Sequence, residues 1–355
     1  MKRLGNLYNN ICKIENIKSA YDEVCRNTRN EVRVENLKSY KSIYISRIYN
    51  ILINKCYEVG PYNSFVIYEP KRREIVSQNV QDKIVNHLVA RFILYPAILP
   101  CLLDVNVASR KDMGTSKGLL YAMKFDKKCK IKYKNYYVLK CDVSKFFASI
   151  DHEILKTKIL KRIKDKDAIK IIFDIIDSNS KGLYIGTMTS QILAIFYLNG
   201  MDHFIKEILK IKYYVRYQDD FLLFHPSKQY LQFCLRELTN FLAKENLTLN
   251  EKTRIYKNTD NFLFLGRTSH GKYGRYRTVK KKLKSRFFFY KSGKISLYSF
   301  NATLNCYRTL CNNPHLFSNA LKGCQKAPSL LTSWPPFDRT KKVVHMCVLL
   351  KIVLN

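Results

Sequence analysis

The sequence predicts an α+β fold, and three observations carry that reading. Helical periodicity recurs: Ile11, Ile14, Ile17 and Tyr21 share one face, as do Ile45, Ile48, Tyr49 and Leu52, and later Ile84, Leu88, Phe92 and Leu94. Short apolar runs of strand length lie between the helical stretches, at Tyr137–Cys141, Tyr213–Val215 and Phe221–Phe224. The last two flank Tyr217-Gln-Asp-Asp220, which reads as a β-hairpin with an acidic tip. With 355 residues, 46% of them hydrophobic, the chain can bury a large core and has length for two or three lobes.

Taken in order, residues 1–58 are helical until Gly60-Pro61 breaks the pattern. Ser64–Glu69 and Glu74–Ser77 form a hairpin turning through Pro70-Lys-Arg-Arg73, a basic turn suited to closing over phosphates. Val80–Leu99 is helical again. The loop Ala108–Gly118, with Arg110 and Lys111, opens a helix from about Leu119; glycine and backbone N–H groups at a helix start suit a phosphate, though many loops contain Gly and Lys. The strand ending at Asp142 leads to Phe146-Phe147 and to a helix that Asp151 is placed to cap. A helix over about Asp165–Ile176 follows. Next comes a glycine-bearing turn, Gly182 to Gln191 with Gly186 inside it, running into an apolar helix, Ile192–Leu209.

Beyond the acidic hairpin, Ser227 suits the N-cap of a helix to about Glu245, with Leu231, Cys234, Leu235, Leu238 and Leu242 inward. Leu247–Leu249 begins a short strand with Lys252 near the end of its segment, and Phe262–Gly266 is another strand. Lys272–Arg286 is densely basic, and helical signals resume from about Val279. Asn312-Asn-Pro314 and Trp334-Pro-Pro336 are breaks, and Lys341–Asn355 is a short amphipathic segment.

Sixty-three Lys plus Arg against 28 Asp plus Glu give a formal charge of +35. Such an excess repels itself in a compact state unless a polyanion is present, and nucleic acid is the first candidate. The competing reading is a Lys-, Ile- and Asn-rich compositional bias; against it, 25 Tyr and 20 Phe are interleaved with the charge, as single-strand binding requires. Eleven cysteines without a C-x-x-C pair predict reduced thiols in a cytoplasmic protein. Cys306, Cys311, Cys324 and His315 fit no common zinc spacing. The start, Met1 to Asn6, lacks the apolar core of a signal peptide, and Val343–Leu354 is short for a span and broken by His345 and Lys351, so a soluble chain without a membrane partner is expected.

Two adjacent carboxylates, Asp219 and Asp220, cost energy unless a cation neutralises them. Taken alone they also read as an acidic surface turn. Asp142, ending another apolar run, supplies the further carboxylate a two-metal phosphoryl-transfer site needs. Two Mg²⁺ ions about 3.5–4 Å apart, with Mn²⁺ as a substitute, would activate a primer 3′-hydroxyl and stabilise the leaving pyrophosphate. No Ser/His/Asp or Cys/His arrangement points to nucleophilic catalysis.

In sequence order these segments resemble the fingers and palm of a reverse transcriptase, and most closely the enzymes of diversity-generating retroelements. The resemblance rests on Gly60-Pro-Tyr, Phe65-Val-Ile-Tyr-Glu-Pro-Lys71, Asp82-Lys-Ile-Val-Asn-His-Leu88, Asp142-Val-Ser-Lys-Phe-Phe-Ala-Ser-Ile-Asp151, Ile185-Gly-Thr-Met-Thr-Ser-Gln191 and Tyr217-Gln-Asp-Asp220. Most reverse transcriptases carry Ser-Pro where this chain has Ser190-Gln191, and Gln there is characteristic of the diversity-generating branch. Departures are Gln218 for the usual Met or Val, Arg72 for Pro, Lys83 for Arg, and the lack of a Gly-His pair near Asn301–Leu304. The likeness covers roughly residues 58–270 and thins into a thumb.

The resemblance implies a right-hand polymerase fold: fingers over 1–135, an antiparallel palm over 136–270, and a basic connection with helical thumb over 271–355. It implies metal held at Asp142, Val143, Asp219 and Asp220, with the three aspartates catalytic. Phe147 becomes a steric gate against the 2′-hydroxyl. Lys71 and Arg73 clamp the triphosphate or templating base, Gln191 lies beside the nascent base pair, where the resemblance links it to relaxed copying of adenines, and Lys252 approaches the pyrophosphate as an acid. Arg110, Lys111, Gly186, Tyr217, Lys280, Lys281 and Lys284 contact nucleic acid. The expected partners are an RNA template, a DNA or RNA primer, dNTPs, a template-repeat or structured noncoding RNA, and a small basic accessory protein as a separate chain, in a bacterial or phage-encoded cytoplasmic setting. Alternatives are an antiphage defence reverse transcriptase working with a noncoding RNA, and a non-catalytic RNA-binding scaffold; Phe147 disfavours an RNA-templated RNA polymerase. No RNase H or endonuclease segment is expected.

Overall fold

The computed structural model describes residues 3–28, 31–67, 73–268, 276–297, 299, 300 and 303. The chain forms two compact units: Met1–Ile67 with Arg73–Leu265, and Tyr68–Arg72 with Gly266–Asn355. Residues on both sides of position 135 share the first unit.

That unit opens with helices α1 (Tyr8–Ile11), α2 (Ile14–Asn27), α3 (Glu31–Ser39) and α4 (Lys41–Ile53). Ile11, Ile17 and Tyr21 are buried as the periodicity predicts, but Ile14 is exposed. The reason is local: Lys13 adopts an extended backbone and separates α1 from α2, so the helical register does not carry through. Strands β1 (Asn63–Ile67) and β2 (Arg73–Ser77) pair antiparallel as the expected hairpin. Helix α5 (Val80–Val89) continues through a π-turn at Ala90–Leu94, α6 (Tyr95–Ile98) and a last 3₁₀ turn to Cys101. This stretch is long and apolar enough to cross a membrane. Its Ile84, Val85, Leu88, Val89, Ile93, Leu94 and Ile98 are instead spent in the core.

Then follow α7 (Thr115–Tyr133), β3 (Tyr137–Asp142), α8 (Phe146–Ser149), α9 (His152–Leu160), α10 (Lys166–Asp177), α11 (Met188–Tyr197) and α12 (Asn199–His203), which runs into a π-turn to Ile208. Asp151 and Asp165 cap α9 and α10, accepting from Ile154 N–H and Ala168 N–H. The apolar helix expected from Ile192 begins earlier, at Met188, because Thr187 caps it, and it breaks at Leu198. Strands β4 (Tyr213–Tyr217) and β5 (Asp220–His225) form the predicted hairpin, and Ser227 caps α13 (Lys228–Lys244). The strand expected at Leu247–Leu249 is only a single bridge from Leu249 to Val143; the strand itself is β6 (Arg254–Lys257).

The central sheet has the order β4-β5-β3-β6, antiparallel throughout. Side chains alternate between its faces. Leu139, Cys141, Phe221, Leu223 and Tyr214 join the larger core with α5, α11 and α13. Val138, Tyr213, Val215, Leu222 and Phe224 join a second core under α7, with Phe262 and Phe264. Each such fully buried side chain stabilises by roughly 1.5–3 kcal/mol. The free edge of β4 is paired in parallel by the loop before α7: Arg216 N–H donates to Val105 O at 2.8 Å and Val107 N–H to Arg216 O at 3.0 Å.

In the second unit, α14 (Tyr276–Lys291) begins three residues before the expected Val279. Tyr290 and Phe300 stack there, with ring centroids 5.5 Å apart.

Candidate active site

The sheet brings the three predicted carboxylates to one end. Asp142, the last residue of β3, lies directly opposite Asp220, the first of β5. Asp219 sits in the turn before it, and its carbonyl accepts from Val143 N–H at 3.3 Å. On the other side, the Asp142 carbonyl accepts from Asn250 N–H at 2.7 Å. The end of β3 is thus held between two turns, and all three aspartates stay partly exposed.

Opposed residues on neighbouring strands point to one face, which sets two carboxylates side by side. Burial, together with the charge of Asp142, raises the Asp220 carboxyl to about 6 even though Lys140 pulls it down. Lys140, two residues before Asp142 on the same face, donates to Asp220 Oδ1 at 2.7 Å.

A fully buried ion pair stands behind the turn, and sequence reasoning missed it. Arg216 of β4 and Asp202 of α12 are both 0% exposed. Arg216 Nε donates to Asp202 Oδ1 at 2.7 Å, and Tyr214 Oη donates to the same oxygen at 2.6 Å. Arg216 Nη1 donates to the Gln218 carbonyl at 2.9 Å, which fixes the acidic turn from within. The available signal was a cation inside an otherwise apolar strand, since a buried arginine requires a partner.

Phe147 lies in α8 against Phe146, edge to face with centroids 5.7 Å apart. Its carbonyl accepts from Leu183 N–H at 2.7 Å. Gly182 makes this approach possible: its φ is +68°, and a Cβ there would stand 2.4 Å from the Phe147 oxygen. Gly186, φ +119°, lies against Val76 and Ile75 of β2. Tyr217 ends β4, partly buried. Gln191 is exposed on the first turn of α11, where Thr187 rather than Gln191 supplies the cap. Lys252 is exposed in the turn after Asn250. Arg110 is engaged by its own loop, donating to the Leu103 and Asn106 carbonyls at 3.0 Å each, while Lys111 is exposed. Lys71, the Cys306–Cys324 cluster with His315, and the segment Lys341–Asn355 lie outside the described residues. So do the side chains of Arg73, which begins β2, and of Lys280, Lys281 and Lys284, whose backbones are in α14. The seven described cysteines are free thiols.

Residues 67–269 match the family described as reverse transcriptase (RNA-dependent DNA polymerase), a span that holds all three aspartates. The chain belongs to the reverse transcriptase family. No curated protein matches it in sequence. Among solved structures it is similar to Candida tropicalis apo telomerase truncated of its C-terminal domain, with 17% identity and TM-score 0.45 over 58% of this chain and 52% of that one. It is also similar to Candida albicans telomerase in complex with a telomeric RNA fragment, with 11% identity and TM-score 0.48 over 80% and 64%. A Candida tropicalis complex gives 15% identity and TM-score 0.46 over 82% and 58%. The chain therefore spans 52–64% of these telomerase chains.

Reverse transcriptases use divalent cations. The hard carboxylate oxygens of Asp142, Asp219 and Asp220 suit Mg²⁺ or Mn²⁺. Among the described residues no three His, Cys, Asp or Glu side chains are grouped so as to hold an ion. Asp220 is turned to Lys140 instead. In this member of the reverse transcriptase family the donors fit a cation in kind and in backbone placement, with a lysine on one of them.

Proposed function

We propose that the protein is an RNA-directed DNA polymerase that copies an RNA template into cDNA. The observation that carries this is the register of Asp142 against Asp220 with Asp219 in the adjoining turn, within a chain of this family. Asp142, Asp219 and Asp220, with Val143 beside them, would hold the divalent cations, and Asp220 would exchange Lys140 for metal. When bound, two Mg²⁺ ions activate the primer 3′-hydroxyl and neutralise the pyrophosphate. The chain's own part is positioning: Arg216 and Asp202 hold the turn, Gly182 sets the carbonyl of Phe147, and Phe147 restricts the sugar to deoxyribose. Fingers before about residue 135, a palm to 270 and a thumb beyond it are the corresponding division of labour.

The finer reading is targeted diversification from a template-repeat RNA, error-prone at template adenines, with a small basic accessory protein as a separate chain. Gln191, exposed on an otherwise largely buried first turn of α11, supports it. The test is primer extension on an RNA template with Mg²⁺ and dNTPs, with Asp219→Asn in parallel and the product sequenced. Templated cDNA that is lost in the variant is expected, with errors concentrated at adenines. Untemplated DNA would replace diversification with the defence-type reading. Absence of product, with native RNA and partner supplied, would overturn the enzyme assignment.

A further inference from the structure

We propose that Ser109 is a positioning residue that couples the acidic turn to Gln191, so that Gln218, Ser109 and Gln191 select the incoming nucleotide as one hydrogen-bonded unit. This rests on the polymerase reading and deepens it. Gln218 lies between Tyr217 and Asp219, yet its side chain leaves the turn: Nε2 donates to Ser109 Oγ at 2.9 Å. Ser109 Oγ in turn donates to Gln191 Oε1 across a longer 3.4 Å. A hydroxyl can accept and donate at once, so Ser109 Oγ accepts from Gln218 and donates its own proton to Gln191. The amide NH₂ of Gln191, an exposed side chain, is thereby left as the outward group.

Two members of this chain, Ser109 and Gln218, are anchored by Arg216. Its backbone pairs with Val105 and Val107, two residues before Ser109, and its guanidinium holds the Gln218 carbonyl. Tyr95 Oη also donates to the Ser109 carbonyl at 3.2 Å. Ser109 and Gln218 both have left-handed backbones, φ +51° and +55°. For non-glycine residues that conformation costs on the order of 1 kcal/mol each, and it persists where the surroundings enforce it. For Gln218, the first of the two residues joining β4 and β5, the tight hairpin turn itself calls for positive φ. Ser109 lies in no helix or strand, and its left-handed backbone accompanies the hydrogen bonds that run from the turn to Gln191. An outward amide donor matches the acceptors that bases present on the minor-groove edge of a pair. Fixing it relative to the aspartates ties the fit of the new pair to the geometry of the reacting end.

The experiment is single-nucleotide insertion, correct and mismatched, with KM and kcat measured separately for the wild type, Ser109→Ala, Gln218→Met and the double variant. Loss of one such hydrogen bond is expected to change discrimination between correct and mismatched dNTP by about 3- to 10-fold, mainly through KM. The double variant should be no worse than the worse single, because the chain is already broken. Ser109→Thr, which keeps the hydroxyl, should restore most of the wild-type ratio. Unaltered discrimination in Ser109→Ala while the wild type extends primers, or strictly additive effects, would overturn the coupling and leave the polymerase reading intact. A wild type that extends nothing would overturn both. Should Ser109→Ala fail to fold, the cycle of Gln191→Met with Gln218→Met reads the same coupling.

Discussion

Lys140 and Asp220 form an ion pair, Nζ to Oδ1 at 2.7 Å, on the sheet face that also carries Asp142. The ammonium offsets one of two opposed carboxylates where the proposed cations bind. Lys140→Met leaves those carboxylates facing each other. Without metal the variant is expected to lose roughly 1–2 kcal/mol, a half-buried pair lying between the surface and buried cases. Added Mg²⁺ should then restore more stability than it gives the wild type. Thermal melting across a Mg²⁺ titration checks this, and an equal Mg²⁺-induced shift in both proteins would remove Lys140 as a competitor.

The Arg216–Asp202 pair carries a larger consequence. Asp202→Ala leaves a guanidinium buried without its counter-charge, which is expected to cost about 3–5 kcal/mol. Urea denaturation measures it. A loss below about 1 kcal/mol, the range of surface pairs, would mean that the guanidinium finds solvent.

Gly182→Ala should be among the most damaging small substitutions. The new Cβ would meet the Phe147 oxygen at 2.4 Å and Ala148 Cα at 2.6 Å, at a φ of +68°. A loss of about 2–4 kcal/mol is expected. Because relief of the clash must move Phe147, the ratio of dNTP to rNTP incorporation should also fall. A variant with wild-type melting temperature would contradict this packing.

His87 gives the pH dependence a sign. Burial lowers its pKa from 6.5, against the opposing pull of Glu23. As pH falls through 6.5 the unfolded chain takes up a proton that the folded chain refuses, so stability falls with falling pH. The slope from this group is at most about 1.4 kcal/mol per pH unit, and it ends at the lower folded pKa. Melting curves from pH 7.5 to 5 should be flatter for His87→Gln; identical slopes would assign the pH dependence elsewhere.

Local signals were readable where one residue type has one local use. Ser227 and Asp151 stand as helix caps, and Asp219-Asp220 as the tip of a hairpin, because capping and turn chemistry act over three or four residues. That Asp142 lies on a strand near the acidic tip was expected from the apolar run it ends; its direct opposition to Asp220 is set by strand register, which the sequence alone does not state. Illegible parts depend on distant partners. Arg216 finds Asp202 on a helix that packs behind the sheet, and Lys140 reads as one lysine among many until β5 lies beside it. Ile14 was misplaced because a single extended residue, Lys13, resets the helical phase. Leu247–Leu249 has strand composition but makes one bridge only, from Leu249 to Val143 just past β3, the edge of β3 itself being taken by β6.

The loop that pairs with β4 has a second effect. A sheet of order β4-β5-β3-β6 has two margins, and each could template a strand from another molecule. Along β4 the outward N–H and C=O of Arg216 are already taken by Val105 and Val107. Along β6, the exposed Arg254 and Lys257 set positive charge where an identical neighbour would bring the same. One margin is blocked by backbone and the other by repulsion, so this sheet resists edge-to-edge aggregation.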